Sequence, residues 1–126
     1  MRLLLDTHVV LWQLSGARAL SRRAEQAIAA ADELAFSVVS FAEIGVKAAV
    51  GKLTVPDDLR AAVIDAGVRV LALSPEDGLA VAQLPMHHRD PFDRLLVAQA
   101  MRGGLGLVTA DPRLQAYDVS VVDATA

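Results

Sequence analysis

The sequence predicts an α/β domain built on a mainly parallel sheet. Three observations carry this. Short apolar runs alternate along the chain with stretches of helical character, the order in which crossover helices cover a parallel sheet. The chain has 126 residues, 54% of them hydrophobic, enough for one compact domain (1–126) that buries about two-thirds of its unfolded surface. No internal repeat, low-complexity tract or linker interrupts it.

The elements follow in order. Residues 2–5 (RLLL) read as a buried strand ending at Asp6, which is placed to cap a helix starting at Thr7. Residues 21–31 read as a helix capped by Ser21. A second strand is expected over 34–38 (LAFSV), leading into a helix over about 40–50. Pro56-Asp57-Asp58 marks the start of another helix, to about residue 66, and 68–73 (VRVLAL) a third strand. Ser74-Pro75-Glu76-Asp77 is a helix-start signature, the helix running to about Leu84. Asp90-Pro91-Phe92-Asp93 begins the next helix, which Gly103-Gly104 ends. Residues 105–109 and 119–122 complete the strands.

Composition excludes several classes. There is no cysteine, hence no disulfide framework and no thiolate metal site, which fits a reducing cytoplasm. Fifteen acids against twelve bases give a net charge of −3, unsuited to coating nucleic acid by bulk positive charge. The apolar run at the N-terminus ends after three residues, short of a signal-peptide core. No stretch approaches the roughly 20 apolar residues of a membrane span, so a cytoplasmic protein is expected.

In such sheets ligands bind beyond the carboxyl ends of the strands. Asp6 directly follows the first strand, and Asp111 follows LGLVT by two residues. Glu43 falls in the first turn or so of the helix after the second strand, and Asp93 in the first turn of the helix beginning near Asp90. The topology can bring all four to one edge. Clustered carboxylates repel and raise one another's pKa, a penalty that a bound divalent cation removes. Mg²⁺ or Mn²⁺ suits oxygen ligands and supports hydrolysis of a phosphodiester. No P-loop, GxGxxG motif or convincing Ser/His/Asp arrangement competes with this chemistry.

Each acid also has a plain structural reading. Asp6 caps a helix; Glu43 and Lys47 form an i, i+4 ion pair on a solvated face; Asp93 complements a helix dipole behind the Asp90 cap; Asp111 before Pro112 is a turn residue. The functional reading rests on the four together. His87 and His88 lack the i, i+4 spacing that would aim both at one metal. With Arg89 they read as a polar loop on the substrate rim, to which Lys47 and Arg94 are also assigned. His8 reads as a local structural residue. Trp12, Phe36, Phe41 and Phe92 read as core or partner-interface residues, leaving no base-stacking platform.

Four segments in order, LLLDTHVVLW, SVVSFAEIGVKAAVGKL, HHRDPFDRLLVAQA and LVTAD, resemble the PIN-domain toxins called VapC across nearly the whole chain. The resemblance implies a three-layer α/β/α domain with a mainly parallel sheet of about five strands. It implies a Mg²⁺- or Mn²⁺-dependent ribonuclease, the toxin half of a toxin–antitoxin pair, acting on RNA as a homodimer and blocked by a cognate VapB-type antitoxin. The family's acids fall on Asp6, Glu43, Asp93 and the more variable Asp111. Asp6, Asp93 and Asp111 are then the expected metal ligands, with Glu43 binding or orienting the attacking water or serving as general base. Thr7, Ser40 and Thr109 are expected to fix carboxylate rotamers, and Asp90 to be a cap or auxiliary ligand. Three rival readings remain. A phosphoacceptor receiver domain wants a lysine after a late strand, but Lys47 and Lys52 lie in the first half. A phosphatase with an aspartate nucleophile wants an acid two residues on, where His8 stands. A silent binding module would not need all four acids.

Overall fold

The computed structural model describes residues 1–125. Five strands, β1 (Arg2–Leu5), β2 (Glu33–Ser37), β3 (Arg69–Leu71), β4 (Gly106–Thr109) and β5 (Val121–Asp123), form one sheet in the order β3-β2-β1-β4-β5. Every pairing is parallel. Six helices connect them: α1 (Thr7–Ser15), α2 (Arg22–Ala30), α3 (Val38–Ala49), α4 (Leu59–Asp65), α5 (Pro75–Ala80) and α6 (Pro91–Gly103). Short 3-10 turns follow α5 at Val81–Gln83 and β4 at Pro112–Ala116. The expected α/β architecture with a five-stranded parallel sheet is thus the one observed.

The strand period of two divides the interior. Leu3 and Leu5 of β1, with Phe36, Val108 and Val122, join Val9, Val10, Ala24 and Val63 in one core. Leu4, Ala35 and Leu107 face the other side, where α6 supplies Leu96, Val97 and Ala100. The chain order reverses between β1 and β4, and a crevice opens at such a switch point beyond the strand ends. Gly106, at the opposite end of β4, permits the close approach of β1: a Cβ would lie 2.9 Å from Leu3 Cδ2.

Several boundaries differ from the sequence reading. The helix after β2 begins at Val38, because Ser37 Oγ accepts from Val39 N and caps it. Glu43 is therefore in the second turn rather than the first. Residues 57 and 58 stay in a turn, with Asp58 left-handed (φ 49°) and making no side-chain cap bond. The helix starts instead at buried Leu59. β3 keeps three residues because it is an edge strand, paired with 35–37 of β2. β5 begins late, since Val119 N donates to Tyr117 O within a turn. No helix among the described residues is long and apolar enough to cross a membrane.

Candidate active site

Asp6 leaves β1 at the switch point, its backbone N–H still bonded to Val108 O of β4 at 2.9 Å. It is 5% exposed. Oδ1 accepts from Thr7 N, as the cap of α1, and Oδ2 accepts from Thr109 Oγ1, each at 2.7 Å. Burial pushes its pKa up; the Thr109 and Thr7 bonds oppose this, and the Glu43 charge adds to it.

Glu43 comes from α3 and is 2% exposed. Thr7 Oγ1 lies 2.6 Å from Glu43 Oε1 and 2.8 Å from Ser40 Oγ. The single hydroxyl proton of Thr7 goes to the carboxylate, and Ser40 donates back to Thr7. Lys47 donates to the other carboxylate oxygen. This is the expected i, i+4 pair, but its acid is buried at the cavity instead of lying on a solvated face. The Lys47 pKa is raised: its partial burial works downward, and is outweighed by Glu43 with help from Asp90 and Asp93.

Asp93 stands in the first turn of α6. Asp90 caps that helix, its Oδ1 accepting from Phe92 N at 2.9 Å and Asp93 N at 3.1 Å. Burial, then the charges of Asp6 and Asp90, push Asp93 up to about 7, against the His88 hydrogen bond. Asp6, Glu43 and Asp93 each present a carboxylate oxygen within 4.8 Å of the others.

Asp111 caps the 3-10 turn after β4. Its carboxylate is held by Arg113 through Nε at 3.1 Å and Nη2 at 3.0 Å. Its backbone N–H donates to Thr109 Oγ1 at 3.1 Å, so one threonine ties Asp111 to Asp6. Burial works upward on Asp111, but the Arg113 bonds and charge win and the pKa is lowered. Asp111 groups with His88 and Asp93 rather than with Asp6 and Glu43.

The acids line a cavity of about 340 Å³. Arg18, Lys47 and Arg113 supply positive charge at its edge, with Trp12 and His8 beside them. Trp12 is half-buried and packs against the core. His8 stacks on it at 6.0 Å between centroids, and the Arg18 guanidinium lies 4.7 Å from the ring centre.

Two rim assignments do not survive. Arg94 is buried and donates to the carbonyls of Val81, Leu84, Pro85 and His88 and to Tyr117 Oη. One residue beyond Asp93, it points about 100° round the helix, into the preceding loop. Arg89 is exposed and borders a separate depression with Met86 and Pro91. Sequence reasoning missed Arg18 and Arg113, whose spacing from the acids carries no signal. It placed His88 in a polar loop on the rim, whereas His88 is buried, with Nε2 2.7 Å from Asp93 Oδ2. Its neighbour His87 is exposed and packs edge-on against Tyr117.

Residues 3–120 match the family model described as the PIN domain. Ribonuclease VapC22 of Mycobacterium tuberculosis is 35% identical over 117 residues, 90% of each chain. Among solved structures, the chain is similar to VapBC2 from Rickettsia felis bound to a promoter DNA fragment: TM-score 0.71, 13% identity, 98% of this chain and 99% of that one. DNA-bound VapBC from Salmonella typhimurium gives 0.70 at 16% identity, with 98% of both chains covered. At these identities the structural likeness carries the fold alone.

Proposed function

The chain belongs to the PIN-domain family, and on that premise we propose that it is a metal-dependent endoribonuclease, the toxin of a toxin–antitoxin pair. The observation that carries the reading is the convergence of Asp6, Glu43 and Asp93 in one cavity. Burial and mutual repulsion raise both Asp6 and Asp93. Such an arrangement is costly without a cation, and its oxygen donors fit Mg²⁺ or Mn²⁺.

Asp6, Glu43 and Asp93 would hold the ion. When bound, it supplies Lewis-acid activation of water and neutralises charge on the phosphodiester. The chain's own residues do the remainder. Thr109, Thr7 and Ser40 fix the Asp6 and Glu43 carboxylates. Asp90 sets the first turn that carries Asp93. Glu43, held between Thr7 and Lys47, orients the attacking water. Arg18 and Arg113, which line the same cavity, meet RNA phosphates with the charge that the net-acidic surface otherwise lacks. The protein acts as a cytoplasmic homodimer and is neutralised by a VapB-type antitoxin. The antitoxin partner is supported by the 35% identical VapC ribonuclease and by the like-folded chains solved as VapBC complexes, and the dimer and the location by the family resemblance of the sequence.

A receiver-type phosphoacceptor is disfavoured by the sheet. Its order is 3-2-1-4-5, not the 2-1-3-4-5 of that class, and Lys47 is committed to Glu43. The test is cleavage of labelled RNA with Mn²⁺ or EDTA. Mn²⁺-dependent cleavage that Asp93→Asn removes is expected; full activity of Asp93→Asn in excess EDTA would overturn the mechanism.

A further inference from the structure

His88 is a buried imidazole that the chemistry above does not use. Its place is built: its backbone N–H donates to Tyr117 Oη at 3.0 Å and its carbonyl accepts from Arg94 Nη1 at 3.3 Å. Nε2 sits between two carboxylates, 2.7 Å from Asp93 Oδ2 and 3.3 Å from Asp111 Oδ2. By spacing alone His88, Asp93 and Asp111 resemble a mixed nitrogen–oxygen metal site, each presenting a ligand atom within 4.8 Å of the others.

The other edge of the ring argues against ligation. Nδ1 accepts the backbone N–H of Arg89 at 3.1 Å. A ring nitrogen that accepts carries no proton, so the neutral ring holds its proton on Nε2. Ligation through Nε2 would move that proton to Nδ1, directly against the Arg89 N–H. Metal-bound histidines instead place a carboxylate, carbonyl or water at the second nitrogen.

We propose that His88 is a positioning residue that donates Nε2–H to Asp93 and Asp111 and orients Asp93 toward Asp6 and Glu43. This rests on the reading of those three acids as the metal ligands. Two consequences follow. The cation is held by oxygen alone, which favours Mg²⁺ and Mn²⁺ over zinc. Asp111, clamped by Arg113 on one side and facing His88 on the other, anchors the imidazole instead of ligating the ion.

The experiment is long-range ¹H–¹⁵N NMR of histidine-labelled protein, in EDTA and then in saturating Mg²⁺, with calorimetric Mn²⁺ binding to His88→Ala, His88→Gln and His88→Asn. The Nε2-protonated pattern is expected in EDTA and after Mg²⁺. His88→Ala should lose about tenfold in Mn²⁺ affinity, the usual effect of removing a ligand's hydrogen-bond partner. His88→Gln, whose amide N–H reaches the Nε2 position, should recover most of it, and the shorter His88→Asn should not. Loss of the Nε2 proton on adding metal, or equal Mn²⁺ affinity in wild type and His88→Ala, would overturn the inference alone. A wild type that binds no Mn²⁺ would overturn the metal reading and the inference with it.

Discussion

In EDTA at pH 8, Asp93→Asn is expected to be more stable than wild type. Burial and the charges of Asp6 and Asp90 lift the folded Asp93 from 3.8 to about 7. At about 1.36 kcal/mol per unit, ionising it inside the fold costs about 4 kcal/mol. Between the two values the folded chain keeps a proton that the unfolded chain has released. Stability therefore falls as pH rises through this window, and levels off above the folded value. About 1.5 kcal/mol of the cost is already present at pH 5, leaving about 2.5 kcal/mol to appear by pH 8. Asparagine keeps the shape and does not titrate, so subtracting its curve cancels the groups that lie away from this cluster. Urea denaturation of both proteins at pH 5 and pH 8 should show the variant's advantage growing by about 2.5 kcal/mol. Mn²⁺ should narrow the gap, since an ion at a hundredfold excess over its Kd adds about 2.7 kcal/mol to the wild type. An advantage that does not change with pH, or one that shrinks, would refute the placing of Asp93 in a buried carboxylate cluster.

Three further outcomes are expected. Thr109→Val removes the hydroxyl donor to Asp6 and should cost about 1–3 kcal/mol, read by thermal melting, together with a fall in RNA turnover; unchanged melting and turnover would refute its role in holding Asp6. Arg94→Ala strips a buried clamp from several loop carbonyls and should destabilise the fold by about 2–3 kcal/mol. Arg89→Ala should stay within about 0.5 kcal/mol, and equal melting points would contradict the distinction between them. An antitoxin peptide should inhibit by placing an arginine among the acids, where it pairs with a carboxylate and excludes the cation. Apolar contacts to Trp12 and Phe41 are expected beside it. If no single basic residue of the antitoxin matters for inhibition, steric cover is the better account.

What the sequence alone determined is whatever short-range physics encodes. The leucine run that ends at Asp6, the apolar LGLVT segment, and capped helices at Ser21, Ser74 and Asp90 announce strands and helices in alternation. That alternation specifies a parallel sheet. Acids that directly follow strands or open helices are legible for the same reason, because the parallel topology gathers strand ends at one edge. Ser37 shows the limit: read as part of a strand, it is also the cap that starts α3 and moves Glu43 to the second turn. His88, Arg94 and Arg113 lay beyond reach. Polar loop residues look alike in sequence, and their roles depend on contacts that local propensity does not encode. Only the packed fold sets Arg94 under the loop carbonyls, turns the His88 ring between Asp93 and Asp111, and binds Arg113 to Asp111. The tertiary structure also decided which acids meet: Asp6, Glu43 and Asp93 come together because β1, α3 and α6 converge at the switch point, while Asp111 is drawn aside by an arginine two residues away.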